Sequence, residues 1–148
     1  QDDEAVLVWL DGGGRVDATF ANEGASGITL LMVAALHGHE RLAATLLQRG
    51  ASVDLQNSAG LTALMGAAFA DHPAALLCLL RAGADTELRS AAGCTALQLA
   101  KEAGSAECVR AFGEHAAAKV AAEAVAKEAA RAAEAAERAA ERAAAEAE

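Results

Sequence analysis

The residues best suited by type to do chemistry are the four histidines and three cysteines of this 148-residue chain. Three of the histidines, His37, His39 and His72, fall in the first half, and a histidine cluster could hold a transition metal. His37 and His39 are only two residues apart on a glycine-containing turn, with no cysteine or carboxylate at ligand spacing. Cys78, Cys94 and Cys108 show no CxxC spacing. They read as small apolar fillers of a reduced, cytoplasmic or nuclear protein rather than as a disulfide or metal site. A Cys–His nucleophile pair would need a base and an orienting group around it, and no such motif surrounds these residues. Gly12-Gly13-Gly14 follows a helix-like segment instead of a strand. It lacks the Lys and Ser/Thr of a phosphate loop and reads as a helix stop. The sequence therefore implies no catalytic constellation, no metal and no cofactor.

The elements that carry these residues follow a period. Gly27, Gly60 and Gly93 are 33 residues apart. Thr29, Thr62 and Thr95 keep the same spacing, as do Leu31, Leu64 and Leu97, and Ala34, Ala67 and Ala100. Arg49-Gly50-Ala51 recurs as Ala82-Gly83-Ala84. A unit of this length cannot bury its own apolar face and must stack on a neighbour. The expected fold class is all-α, a solenoid of stacked helix–turn–helix units with projecting loops, followed by a long C-terminal helix.

Within a unit the local signals agree. Thr29, Thr62 and Thr95 are N-cap candidates, each able to accept a hydrogen bond from an orphan N–H. A first helix is expected from Leu30 to Leu36, a turn at His37-Gly38-His39, and a second helix from Glu40 to Gln48. Pro73 falls at the start of the corresponding second helix, where its missing N–H costs nothing. Gly50 and Gly83 end the second helices, and SVDLQNSAG and DTELRSAAG read as hairpin-like loops. Upstream, Val6 to Leu10 give an apolar helix face. Val16-Asp17 matches Val53-Asp54 at a separation of 37, so the loop ATFANEGASG carries about four extra residues. The expected divisions are 1–26, the second half of a repeat plus an extended loop; 27–59, 60–92 and 93–114, the repeats; and 115–148, an alanine-rich charged helix. On this division the chain begins in the middle of a repeat.

Composition excludes several function classes. The formal net charge is −9, whereas phosphate binding needs a basic stripe, so neither nucleic acid nor an anionic membrane surface is expected. No apolar run approaches the roughly 20 residues of a spanning helix. The opening QDDEAVLVWL is acidic, unlike a signal or transit peptide. Hydrophobic residues make up 54 %, but there are only three Phe, one Trp and no Tyr. Alanine supplies the difference, which suits closely layered helices. The tail has Glu123–Lys127 and Glu134–Arg138 in the favourable i,i+4 order. Val120 and Val125 are its only large apolar residues, so a leucine-type coiled-coil seam is absent. The tail reads as an exposed helix held by propensity and ion pairs, or as an alanine-faced pairing helix. Glu146 and Glu148 meet the negative end of the helix dipole, where fraying is expected.

The units GITLLMVAALHGHERLAATLLQRGAS and GLTALMGAAFADHPAALLCLLRAGAD resemble ankyrin repeats. GCTALQLAKEAGSAECVRAF resembles a terminal one, and the likeness covers residues 4 to 114. The family's T-P-L-H becomes Thr29-Leu30-Leu31-Met32, Thr62-Ala63-Leu64-Met65 and Thr95-Ala96-Leu97-Gln98. The resemblance implies a curved slab whose concave face, made of loops and first helices, binds partner proteins. It also implies that His39 and His72 hydrogen-bond backbone at the turn. Mapped onto this chain, the partner-binding positions are Ile28, Leu36, His37, Leu61, Phe69, Cys94 and Glu102. Their apolar character, ending at Glu102, implies a protein partner with an apolar or basic segment, bound by a monomer. Two other readings are a regulatory or targeting fragment of a larger enzyme or signalling protein, and a structural spacer.

Overall fold

The computed structural model describes residues 2–147. In chain order it has α1 (Asp2–Asp11), β1 (Thr19–Phe20), β2 (Ile28–Thr29), α2 (Leu30–Leu36), α3 (Glu40–Gln48), α4 (Ala63–Phe69), α5 (Pro73–Arg81), α6 (Ala96–Ala103) and α7 (Ala106–Glu146). The chain divides into two compact units, residues 1–112 and 113–148.

In the first unit α2 packs on α3 and α4 on α5. The first helices α2, α4 and α6 form one row, and α3 lies beside α5 in a second. Each helix of the first row starts at a threonine with extended backbone. The Thr29, Thr62 and Thr95 hydroxyls accept from the N–H groups of Met32, Met65 and Gln98 at 3.2, 3.2 and 3.3 Å, satisfying one orphan donor per helix. Ala34, Ala67 and Ala100 are fully buried, as are Ala35 and Ala68, so backbones in this row approach without side chains between them. Leucines fill the space between the rows. Leu46 and Leu79 are completely buried, and Phe112 continues their 33-residue register. Leu42, Ala75 and Cys108 do the same one turn earlier. The first turns of α7 thus occupy the place that α3 and α5 hold before them. Burying one such leucine is worth about 1.5–3 kcal/mol.

The row ends on a polar face. Met32 and Met65 are buried, but their counterpart Gln98 is exposed, and Lys101 is exposed where Ala35 and Ala68 are buried. Gln98 also accepts a hydrogen bond from the Thr95 N–H at 2.8 Å, completing a capping box.

Hydrogen bonds spanning 31 to 35 residues tie the loops of neighbouring units together. Asp17 accepts from the Ser52 N–H at 2.9 Å and its hydroxyl at 2.8 Å, and Asp54 accepts from the Asp85 N–H at 2.8 Å. The Ser58 N–H donates to the Ser26 carbonyl and the Ala91 N–H to the Ala59 carbonyl, both at 2.9 Å. Gly60 has a φ of +73°, and a Cβ there would lie 2.8 Å from the Ala91 nitrogen, so the turn demands glycine.

Three local expectations need correction. The extended loop is not simply longer. It folds into an antiparallel ribbon, Thr19 opposite Thr29 and Phe20 opposite Ile28, closed by Asn22 Oδ1, which accepts from the N–H groups of Gly24 and Ala25. His39 and His72 start α3 and α5, but neither makes a side-chain cap hydrogen bond. The His72 ring instead lies over Gly38, where an added Cβ would come within 2.5 Å of its Nδ1, so it packs adjacent turns together. In the tail, neither Glu123–Lys127 nor Glu134–Arg138 forms an ion pair among the described residues. Those found are Arg49–Asp11 and Arg110–Glu107.

Helix α7 runs unbroken for 41 residues through Gly113, about 60 Å at 1.5 Å per residue. Every side chain from Ala116 to Ala147 is exposed. Intrinsic propensity, highest for alanine and high for Glu, Lys and Arg, therefore supports this segment.

A candidate interaction face on the first helices

Helices α2 and α4 bury most of their length, and each exposes one apolar side chain at its C-terminal end. Leu36 is 43 % exposed and Phe69 is 60 % exposed. Their helices pack side by side. A Cβ built on Gly66 would lie 3.7 Å from the Leu36 Cβ, and Gly66 is one turn before Phe69 on the same helix face. Val33, one turn before Leu36, is 40 % exposed. Two strips therefore run across the row: Val33, Gly66 and Leu99, and beside it Leu36, Phe69 and Glu102. Leu99 is half-buried and Glu102 is exposed in the last turn of α6. Val33 and Leu99 are absent from the sequence-based set. The i,i+3 spacing from Leu36 and Glu102 is the signal that points to them.

The other mapped positions separate into two places. His37 is the C-cap of α2 and is exposed, its ring centroid 6.2 Å from that of His39. Ile28, Leu61 and Cys94 sit at the opposite ends of the first helices, eight residues before Leu36, Phe69 and Glu102, or roughly 12 Å along the helix axis. They are held by the loops. Leu61 exchanges hydrogen bonds with Asn57, and Cys94 with Ser90. Leu61 is exposed, whereas Ile28 and Cys94 are half-buried and Ile28 packs against the core. The apolar positions thus separate into a more exposed group at the C-terminal ends of α2 and α4 and a less exposed line at the loop base.

The cysteines are free thiols. Cys108 is buried, with its sulfur 3.6 Å from the Ala67 carbonyl. Burial first, and then the Asp71 carboxylate, push its pKa up to about 11. Burial, followed by Glu40, raises that of Cys78. A thiol shifted this way stays protonated at neutral pH and is a poor nucleophile or metal ligand. Among the described residues no group of three His, Cys, Asp or Glu is gathered closely enough to hold a metal ion. No helix of theirs is long and apolar enough to cross a membrane.

A family model for ankyrin repeats, in three copies, matches residues 1–90. No curated protein matches the chain.

Proposed function

The chain belongs to the ankyrin-repeat family, whose members are generally protein-interaction modules, and we propose that it binds a protein segment without catalysis across the row formed by Val33, Leu36 and Phe69. The observation that carries this reading is the exposure of Val33, Leu36 and Phe69 on two first helices that pack side by side. Isolated exposed apolar groups need no explanation, but a patch on packed neighbours costs solvation that a partner recovers. The Phe69 ring is the natural anchor, since aromatic groups seated in a pocket carry a disproportionate share of binding energy. Binding there is shape-complementary and limited by dissociation, so loss of the anchor acts mainly on the dissociation rate.

The test is affinity capture with the wild-type chain and with a Leu36→Glu/Phe69→Glu double variant. Folding of both is first confirmed by far-UV circular dichroism and a denaturant midpoint. Partners retained by the wild type and lost by the folded variant are the expected result. Capture of the same partners with the same affinity by both proteins would move the site off this face.

A further inference from the structure

The two ends of the helix row differ in chemistry. At the α6 end, Gln98 and Lys101 are exposed where Met32, Met65, Ala35 and Ala68 are buried. That is the polar outer face a terminal repeat needs for solubility. The α2 end carries apolar side chains instead.

Register shows which of them face outward. Helices α1, α3 and α5 close with the same hydrogen bonds, in which the N–H groups of Gly14, Ala51 and Ala84 donate to the carbonyls of Trp9, Leu46 and Leu79. Trp9 therefore stands at the position where Leu46 and Leu79 are completely buried between the rows, yet it is 43 % exposed. Its ring lies over Gly14, where an added Cβ would come within 2.4 Å of it. Asp11 at the end of α1 pairs with Arg49 at the end of α3 at 2.7 Å, which sets α1 beside α3. In the first row a Cβ on Gly66 would lie 3.7 Å from the Leu36 backbone nitrogen and Cα, so Gly66 faces the helix before its own. Val33 holds the same register in α2 and turns away from α4, towards the end of the row. Leu30 shares register with Ala63 and Ala96, which are buried, and is itself half-buried.

The place before α2 and in front of α1 stands to those helices as α2 stands to α4 and α3. Trp9, Leu30 and Val33 line it, and no helix fills it among the described residues. The chain itself shows what an occupant must present there. In α2 the buried residues are Leu31, Met32, Ala34 and Ala35, and in α4 they include Leu64, Met65, Ala67 and Ala68. A second copy stacked head to tail does not fit, because Gln98 and Lys101 would be desolvated against Trp9 and Val33.

We propose that this end of the row docks a short amphipathic helix of a partner polypeptide whose buried face reads Leu-Met-x-Ala-Ala. The helix continues the interface that already joins α2 to α4 and α4 to α6, and it covers Trp9 as α2 covers Leu46. This surface shares only Val33 with the face described above, and the proposal does not rest on the interaction reading.

Trp9 is the single tryptophan of the chain, so its emission reports on this place. The probe is a peptide copy of residues 27–39, which contains Leu31-Met32-Val33-Ala34-Ala35 and no tryptophan. Titrated into the full chain, it is expected to shift Trp9 emission to the blue and to saturate. A Leu31→Ser/Met32→Ser peptide is expected to do neither. Val33→Glu in the protein, an exposed position that leaves the fold intact, should weaken the peptide about tenfold or more by setting a charge against an apolar helix. Leu36→Glu/Phe69→Glu should leave the titration unchanged. No saturable shift up to about 1 mM peptide, or an equal shift with the serine peptide, overturns the proposal and leaves the role of Leu36 and Phe69 standing. A shift abolished by Leu36→Glu/Phe69→Glu but kept by Val33→Glu assigns the peptide to the other face and also overturns it. A dimer of the chain alone in light scattering, dissolved by Val33→Glu, gives this end to a second copy and overturns the partner helix.

Discussion

Truncating Leu64 to alanine probes the stack at its middle. Leu64 lies in α4, which has α2 on one side and α6 on the other, and it is 1 % exposed. The substitution removes three carbon groups from a dry site, a transfer loss of roughly 2.4 kcal/mol at about 0.8 kcal/mol each. A cavity penalty adds to this, because the surroundings relax only in part. Much of the neighbouring wall is alanine (Ala34, Ala35, Ala67 and Ala100 are fully buried), and an alanine has no rotamer with which to refill space. The cost is therefore expected at about 3–5 kcal/mol, the upper part of the range for leucine truncations. Urea titration, followed by Trp9 fluorescence and by far-UV circular dichroism, measures it. The matched control is Ala133→Gly, on an exposed stretch of α7. It should cost about 1 kcal/mol of local helix stability and leave the main transition in place. Equal shifts of that transition by both substitutions, or a Leu64→Ala shift below about 1 kcal/mol, would refute stability carried by nearest-neighbour packing.

Two further outcomes follow from single contacts. Gly60→Ala combines a positive φ with a Cβ 2.8 Å from the Ala91 backbone nitrogen and is expected to lower stability by about 2 kcal/mol or more; an unchanged urea midpoint would mean that the loop row yields freely. Cys108 is raised from the ordinary 9.0 to about 11, by burial first and Asp71 second, so the unfolded chain ionises at lower pH than the folded one. Its stabilising contribution is whole below pH 9 and is lost as pH rises towards about 11, so urea midpoints should fall more steeply over that window in the wild type than in Cys108→Ala. Parallel slopes would count against the shift.

Much of the first unit is legible in the sequence, because local and non-local signals repeat together. The expected limits Leu30–Leu36 and Glu40–Gln48 are those observed. Thr29, Thr62 and Thr95 cap their helices, and Pro73 opens α5. Each boundary is marked by a residue whose backbone chemistry permits little else: a cap hydroxyl, a proline lacking its N–H, a glycine at positive φ. The ribbon of β1 and β2 is invisible by the same logic. Two residues per strand are too few for an alternating pattern, and the pairing is set by how the Asn22 turn closes. The tail pairs are in correct i,i+4 order, yet exposed ion pairs are worth only a few tenths of a kcal/mol. Order in sequence therefore does not oblige the side chains to meet. The turn histidine shows a third limit, since whether it bonds backbone or packs on Gly38 depends on a neighbour 33 residues away.

The candidate site is the least legible part, and the repeat itself explains why. Positions that stack are held by the unit next door to apolar residues, and in the first row to one type, so position 34 is alanine again at 67 and 100. Positions that face solvent are free of that constraint and diverge: Val33, Gly66 and Leu99 in one strip, Leu36, Phe69 and Glu102 in the other. Divergence alone says only that the fold does not choose the residue. It gains meaning where the residue present is not the one the backbone favours. By that criterion Phe69 is ambiguous, because an exposed phenylalanine at a helix end strains nothing. Asp71 answers to the packing instead. The backbone there favours glycine, and glycine is what Gly38 and Gly104 provide. The carboxylate that replaces it lies against the buried Cys108 thiol and helps to raise its pKa.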